Sequence, residues 1–161
     1  MTLHIENNAL LNWFQRQQTP PGWFDLLAIM IDGMAQNASA QQSRPFLLQM
    51  GDKLAQSYPL SASETLQELE NNINQHLSYF GWGCIDITST ETALLFHHQA
   101  FPVCYGQDEE RQIRWCNAFS VIMEGVYTRW MLQQGGEAHV IVTRDSILSL
   151  SEIQFRYHTA Q

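Results

Sequence analysis

The side chains able to do chemistry are few and scattered. His97 and His98 are neighbours within a β-rich run, so their imidazoles leave opposite faces of a strand and do not chelate one metal. His4, His76, His139 and His158 are dispersed, and neither H-x-x-x-H nor H-E-x-x-H occurs. No metal site is expected. Asp108-Glu109-Glu110 places three acids in a row. Glycoside hydrolysis needs two carboxyls about 5–10 Å apart across a sugar, ordinarily on separate elements. A contiguous acidic run suits a helix start instead, where acids favour the positive end of the dipole. Gly81-Trp82-Gly83 is a G-x-G fragment of a dinucleotide fingerprint, but it precedes a strand where that fingerprint follows one. It reads as a helix cap and tight turn. The sole lysine, Lys53, sits in no phosphate-binding loop, and there is no G-x-S-x-G elbow. No catalytic residue and no cofactor is expected.

The elements that would position these groups belong to a chain of 161 residues, the size of one ordinary domain. Charged residues make up 15%, against about 25% in typical proteins. The net charge is −8, with eight basic and sixteen acidic residues and no basic cluster. That balance excludes nucleic acid and disfavours an anionic membrane surface. The polar surface is rich in Asn and Gln, which suits neutral partners such as sugars. No apolar run approaches the ~20 residues of a membrane span. The first residues carry no basic n-region and no long apolar h-region, which favours the cytoplasm, with the periplasm as the alternative. Cys84, Cys104 and Cys116 are odd in number and form no C-x-x-C pair, so reduced thiols are expected.

Residues 1–20 read as an N-terminal arm, with a short helix at 5–17 docking through Trp13 and Phe14, or ordering on assembly. Residues 21–161 read as a single α+β domain. Apolar residues at helical spacing predict helices at 22–36, 43–57 and 62–79. Ser61 and Glu64 form a capping pattern at the start of the third. Trp82–Thr88 and Thr92–Phe101 predict a β-hairpin. A long helix follows at 110–133, capped by Gly135-Gly136. Ala138–Thr143 and Ile153–Tyr157 predict a last hairpin, with a turn at Arg144–Ser149. N-terminal helices, β-hairpin, long helix and C-terminal β-hairpin make an α+β order. Trp23 and Trp130 fall on apolar helix faces and read as core. Trp115 falls off the main stripe and reads as an interface aromatic. Gly125 lies inside the long helix, where Gly costs about 1 kcal/mol against Ala. A close backbone approach is expected there, with Ala118 on nearly the same face, either within the fold or across a dimer.

Met123-Glu124-Gly125-Val126-Tyr127-Thr128-Arg129-Trp130 resembles the LEGLYGRW stretch of the family of the bacterial cellulose synthase D subunit. Val140-Ile141-Val142-Thr143-Arg144-Asp145 is similar to that family's YVVTRD, and Trp82-Gly83-Cys84-Ile85-Asp86-Ile87 to its WGYVKLDL. Order and spacing agree, and the likeness is clear over residues 62–146. The resemblance implies a non-catalytic homo-oligomer, an octamer built as a tetramer of dimers. It implies inner passages that guide nascent β-1,4-glucan chains for ordered export and crystallisation beside the membrane synthase. Some members of the family pair with a proline-rich partner protein. Glucan contact in the family is attributed largely to the N-terminal region, so the resemblance assigns no glucan-binding residue here. The matching residues Trp82, Gly83, Glu124, Gly125, Tyr127, Arg129, Trp130, Thr143, Arg144 and Asp145 are expected to be structural or interfacial. Glu124, Arg129, Arg144 and Asp145 should form ion pairs or caps that fix the long helix against the last hairpin.

Two other readings compete with a cellulose-export scaffold. A small-molecule-binding module shares the element order and would show an apolar pocket. A carbohydrate-active enzyme would need two convergent carboxyls in a cleft.

Overall fold

Local pattern decides most element boundaries. The computed structural model describes residues 20–104 and 108–160, and the expected arm helix at 5–17 lies outside them. Helix α1 spans Trp23–Asn37 and α2 spans Ala40–Ser57. The second begins three residues before the expected 43. Ser39 closes a reciprocal cap there: its Oγ accepts the Gln42 N–H at 3.1 Å, and Gln42 Oε1 accepts the Ser39 N–H at 2.9 Å.

Helix α3 spans Leu66–Phe80. The expected start at Ser61 is four residues too early. Thr65 is the cap, and its Oγ1 accepts the Glu68 N–H at 3.1 Å. Both S-x-x-E and T-x-x-E fit the pattern, and the one next to the first apolar residue of the stripe wins. The Ser61 carbonyl instead accepts from the side chains of Asn72 and Gln134. Gly81 ends the helix in the left-handed region, at φ 74°.

Strands β1 (Cys84–Ser89) and β2 (Leu94–Gln99) form the expected hairpin. Helix α4 spans Glu109–Gln133, and Asp108 caps it by accepting the Arg111 N–H at 2.8 Å. Strands β3 (Val140–Ser149) and β4 (Glu152–Thr159) complete the chain. The expected turn at Arg144–Ser149 is therefore strand. Two register shifts, between Arg144 and Ser146 and between Ile147 and Ser149, set Asp145 and Leu148 out as extra residues. A bulged strand carries the same Asp- and Ser-rich signal as a turn.

The two hairpins join through β2 and β4 into one antiparallel sheet of order β1-β2-β4-β3. Ile85, Phe96, Ile153, Phe155 and Val142 point inward, and α3 and α4 answer with Ile73, Leu77, Met123, Val126, Tyr127 and Trp130. The outer face is polar, with Asp86, His97, Gln99, Glu152 and Gln154 along it, as one-sided antiparallel sheets have. Helix α2 packs against α4, and α1 contacts both.

Candidate functional site

The long helix is covered on several sides, and each matching residue meets a different neighbour. Glu124 points toward α2 and β3. Its carboxylate receives both terminal nitrogens of Arg44, at 2.9 and 3.1 Å, and the backbone N–H of Arg144 at 2.9 Å. The Glu124 side chain is only 3% exposed, whereas that of Arg44 is 45% exposed. This hydrogen bond raises the Arg44 pKa from its ordinary value. The guanidinium of Arg144 reaches back to α4, where it donates to Asn117 Oδ1 and Ser120 Oγ.

At the next residue, Gly125 takes α2 into backbone contact. A Cβ there would stand 2.3 Å from the Leu48 carbonyl oxygen. The close approach expected from sequence is thus within the fold, and Gly51 on α2 makes the reciprocal contact. Arg129 then pairs with Asp52 of α2 through two nitrogens, Nη2 lying 3.2 Å from Oδ2. The Arg129 guanidinium holds the Asp52 carboxyl below the usual range. A recess of about 320 Å³ lies at this junction, lined by Arg44, Asp52, Gly125, Thr128 and Thr143 among others.

Tyr127 and Trp130 turn the other way, into the core. Tyr127 O–H donates to His98 Nδ1 at 2.6 Å, and His98 Nε2 lies 2.6 Å from the Trp82 carbonyl. A carbonyl only accepts, so His98 carries its proton on Nε2 and leaves Nδ1 to accept from Tyr127. Burial lowers the His98 pKa from 6.5 to about 4 and raises that of Tyr127 well above its ordinary value. Trp130 Nε1 donates to the Tyr58 carbonyl at 2.9 Å, and its ring stacks on His76. Gly83 adopts φ 87°, and a Cβ there would meet the Gln99 carbonyl at 2.1 Å. Thr143 and Asp145 face the outer side of the sheet, on His158 and on Gln154 and Arg156.

Two tryptophan expectations fail. Trp115 is buried, with its Nε1–H on the Pro102 carbonyl at 2.9 Å and its ring stacked on Phe119. It is core, because α4 is covered around most of its circumference and has no single inner stripe. Trp23 is 79% exposed and is not core. It lies on the side of α1 turned away from α4.

Sequence reasoning also missed the partners that close the sheet. On β1, Asn74 of α3 bonds both the N–H and the carbonyl of Ile85, at 2.7 and 3.0 Å, and Glu70 accepts the Ile87 N–H at 2.8 Å. On β3, Thr128 accepts the Val142 N–H at 3.0 Å and Glu124 accepts that of Arg144. Helix side chains thereby occupy backbone groups at both sheet edges, which otherwise invite pairing with another chain. Nothing in a single sequence marks such long-range bonds. Gly51, by contrast, carries the same mid-helix signal as Gly125.

A family model described as the D subunit of cellulose synthase matches residues 9–158. The chain belongs to the cellulose synthase D-subunit family. Membership gives it a role in cellulose synthesis, as a subunit of the cellulose synthase complex. No curated protein matches the chain. Among solved structures, it is similar to a trafficking protein particle complex subunit 3 from Naegleria fowleri, crystallised covalently bound to palmitic acid. That likeness covers 84% of this chain and 94% of the other, at 13% identity and a TM-score of 0.50. At such identity it is a likeness of fold alone. Of the residues that match the family's motifs, Glu124, Gly125 and Arg129 all serve the contact of α4 with α2, and Glu124 serves β3 as well. No helix among the described residues is long and apolar enough to cross a membrane.

Proposed function

We propose that the chain is a non-catalytic, ring-forming subunit that organises nascent β-1,4-glucan for ordered secretion and crystallisation. The observation that carries the assembly reading is the outer face of α1. Trp23, Leu26, Leu27 and Met30 recur at helical spacing there and are exposed. The inner face of the same helix sets Phe24, Ala28, Ile31 and Met34 on the core. A helix apolar on both sides belongs inside an assembly. The family match supports placing that assembly beside the synthase.

The carboxylates at the α2–α4 junction support a structural role. Arg44 grips Glu124 and Arg129 grips Asp52, so neither is set up to pass a proton to a glycosidic oxygen. The low-charge, amide-rich surface suits a neutral glucan. We place the subunit at the cytoplasmic side of the machinery, and a proline-rich partner is part of the reading through the family. The test is light scattering coupled to size exclusion on the full chain. Eight copies of 18.5 kDa give about 148 kDa. A mass near that value, with loss of ordered cellulose on deletion of the gene, is the expected result. A monomer at all concentrations, or turnover of cellodextrins, overturns the reading.

A further inference from the structure

A groove of about 720 Å³ opens between α1, α2 and α4, beside the α2–α4–β3 recess, with which it shares Arg44. Its volume falls within the roughly 300–1,000 Å³ of small-molecule sites. The walls are mostly apolar, with Ile31, Met34, Leu47 and Val121 along them. Three guanidinium groups line it as well, those of Arg44, Arg114 and Arg144, and among the described residues no carboxylate does. The chain has twice as many acidic as basic residues, only eight basic in all. Three of those eight, drawn from three separate elements, converge on one apolar groove.

The three are not equivalent. Arg44 is committed to Glu124, and Arg114 to Asp32. Arg144 is held by the neutral oxygens of Asn117 and Ser120. Its guanidinium is thus fixed in place while its charge is not met by a carboxylate in that contact. Asp32 receives Arg111 as well as Arg114, and Glu110 lies 3.8 Å from Arg114, so the neighbouring ion-pair cluster is met by its own acids. The groove combines an apolar bed with a positioned cation at its wall.

We propose that this groove binds an anionic amphipath, a single acyl chain with a carboxylate or phosphate head. The head bonds Arg144, and the chain lies along Ile31, Met34, Leu47 and Val121. A guanidinium favours planar and phosphate anions over neutral heads. An apolar bed favours a tail in proportion to the area it covers. The inference does not depend on the subunit's assembly or on glucan.

The test is calorimetric titration of the full chain with dodecanoate below its micellar range, against dodecyl maltoside and acetate. Saturable binding of dodecanoate, with acetate silent and dodecyl maltoside about tenfold or more weaker, is expected. Arg144→Gln should weaken dodecanoate about tenfold. Ala35→Trp, an exposed groove residue on α1, should block it while leaving the core untouched. Co-sedimentation with phosphatidylglycerol vesicles identifies the source of the head. Retention that Arg144→Gln abolishes supports the proposal with a bilayer lipid as ligand. No retention, with dodecanoate still bound, supports it with a soluble amphipath. Equal binding of dodecanoate and dodecyl maltoside, or binding unchanged in both variants, overturns it. Light scattering on the same samples keeps the assembly reading separate, since a failed titration leaves the mass unaltered.

Discussion

Gly51 and Gly125 each lie against the backbone of the helix that carries the other. A Cβ on Gly51 would stand 1.9 Å from the Ile122 carbonyl oxygen, and one on Gly125 would stand 2.3 Å from that of Leu48. The obstacle is main chain in both cases, so no side chain can step aside. Helix propensity alone favours Ala over Gly by about 1 kcal/mol. Gly125→Ala and Gly51→Ala are nonetheless expected to destabilise by about 1–3 kcal/mol each, because the helices must move apart. Denaturant unfolding checks this, and a gain in midpoint for either variant sinks the account.

Glu124 joins three elements with one carboxylate. Glu124→Ala leaves the Arg144 N–H without its acceptor and Arg44 without its partner. The expected loss is about 3 kcal/mol, the lower end for breaking a buried pair, since Arg44 can turn to water. Glu124→Gln keeps an acceptor for the strand and loses the charge, so about 1–2 kcal/mol is expected. Equal costs for the two variants would show that the strand bond contributes nothing. Asn74→Ala tests the opposite edge. It frees one N–H and one carbonyl of Ile85, and a loss of about 1–3 kcal/mol is expected, with greater self-association at high concentration.

His98 ties stability to pH. Its folded pKa is depressed to about 4 from 6.5, chiefly by burial. The unfolded chain therefore takes up a proton as pH falls through 6.5, while the folded chain resists until about 4. The contribution is fully present above 6.5 and shrinks as pH drops toward 4, by about 3 kcal/mol in total. Asp32 and Asp52, held low by arginines, act in a more acidic window, below their ordinary 3.8. Urea unfolding between pH 4 and 7 should steepen for the native chain. His98→Gln, less stable at pH 7, should lose most of that slope. Parallel profiles would mean that His98 does not carry it.

The parts of this fold that sequence exposes are those set by neighbours in sequence. Leu69, Ile73 and Leu77 recur at helical spacing beside Glu70 and Asn74, so α3 is legible, and Asp108 marks the start of α4 for the same local reason. The joining of β2 to β4 is not, because any two antiparallel hairpins can pair in several orders and the choice is made by the helices beneath them. Trp115 escapes a periodicity reading because a helical stripe presumes one covered side, whereas α4 meets α1, α2 and the sheet. Of the matching residues, Glu124 and Arg144 are legible as a pairing between helix and hairpin. Their contact runs through the strand backbone, with Arg44 as the ionic partner, and nothing around Arg44 in sequence marks it.

Trp23 exposes the other limit of periodicity, and it leads to the sharpest test of assembly. Spacing says which side of α1 is apolar, but not whether the surface that covers it lies in the same chain. Leu26 and Met30 sit on the outer stripe with Trp23. Leu26→Glu and Met30→Glu place a charge there without touching the core, so helical content by circular dichroism should hold. If a second copy covers the stripe, each charge must be desolvated or the contact opened, at several kcal/mol. The mass by light scattering should then fall by at least one level of assembly in both variants. An unchanged mass would move the contact between copies off α1 and leave this stripe to another partner.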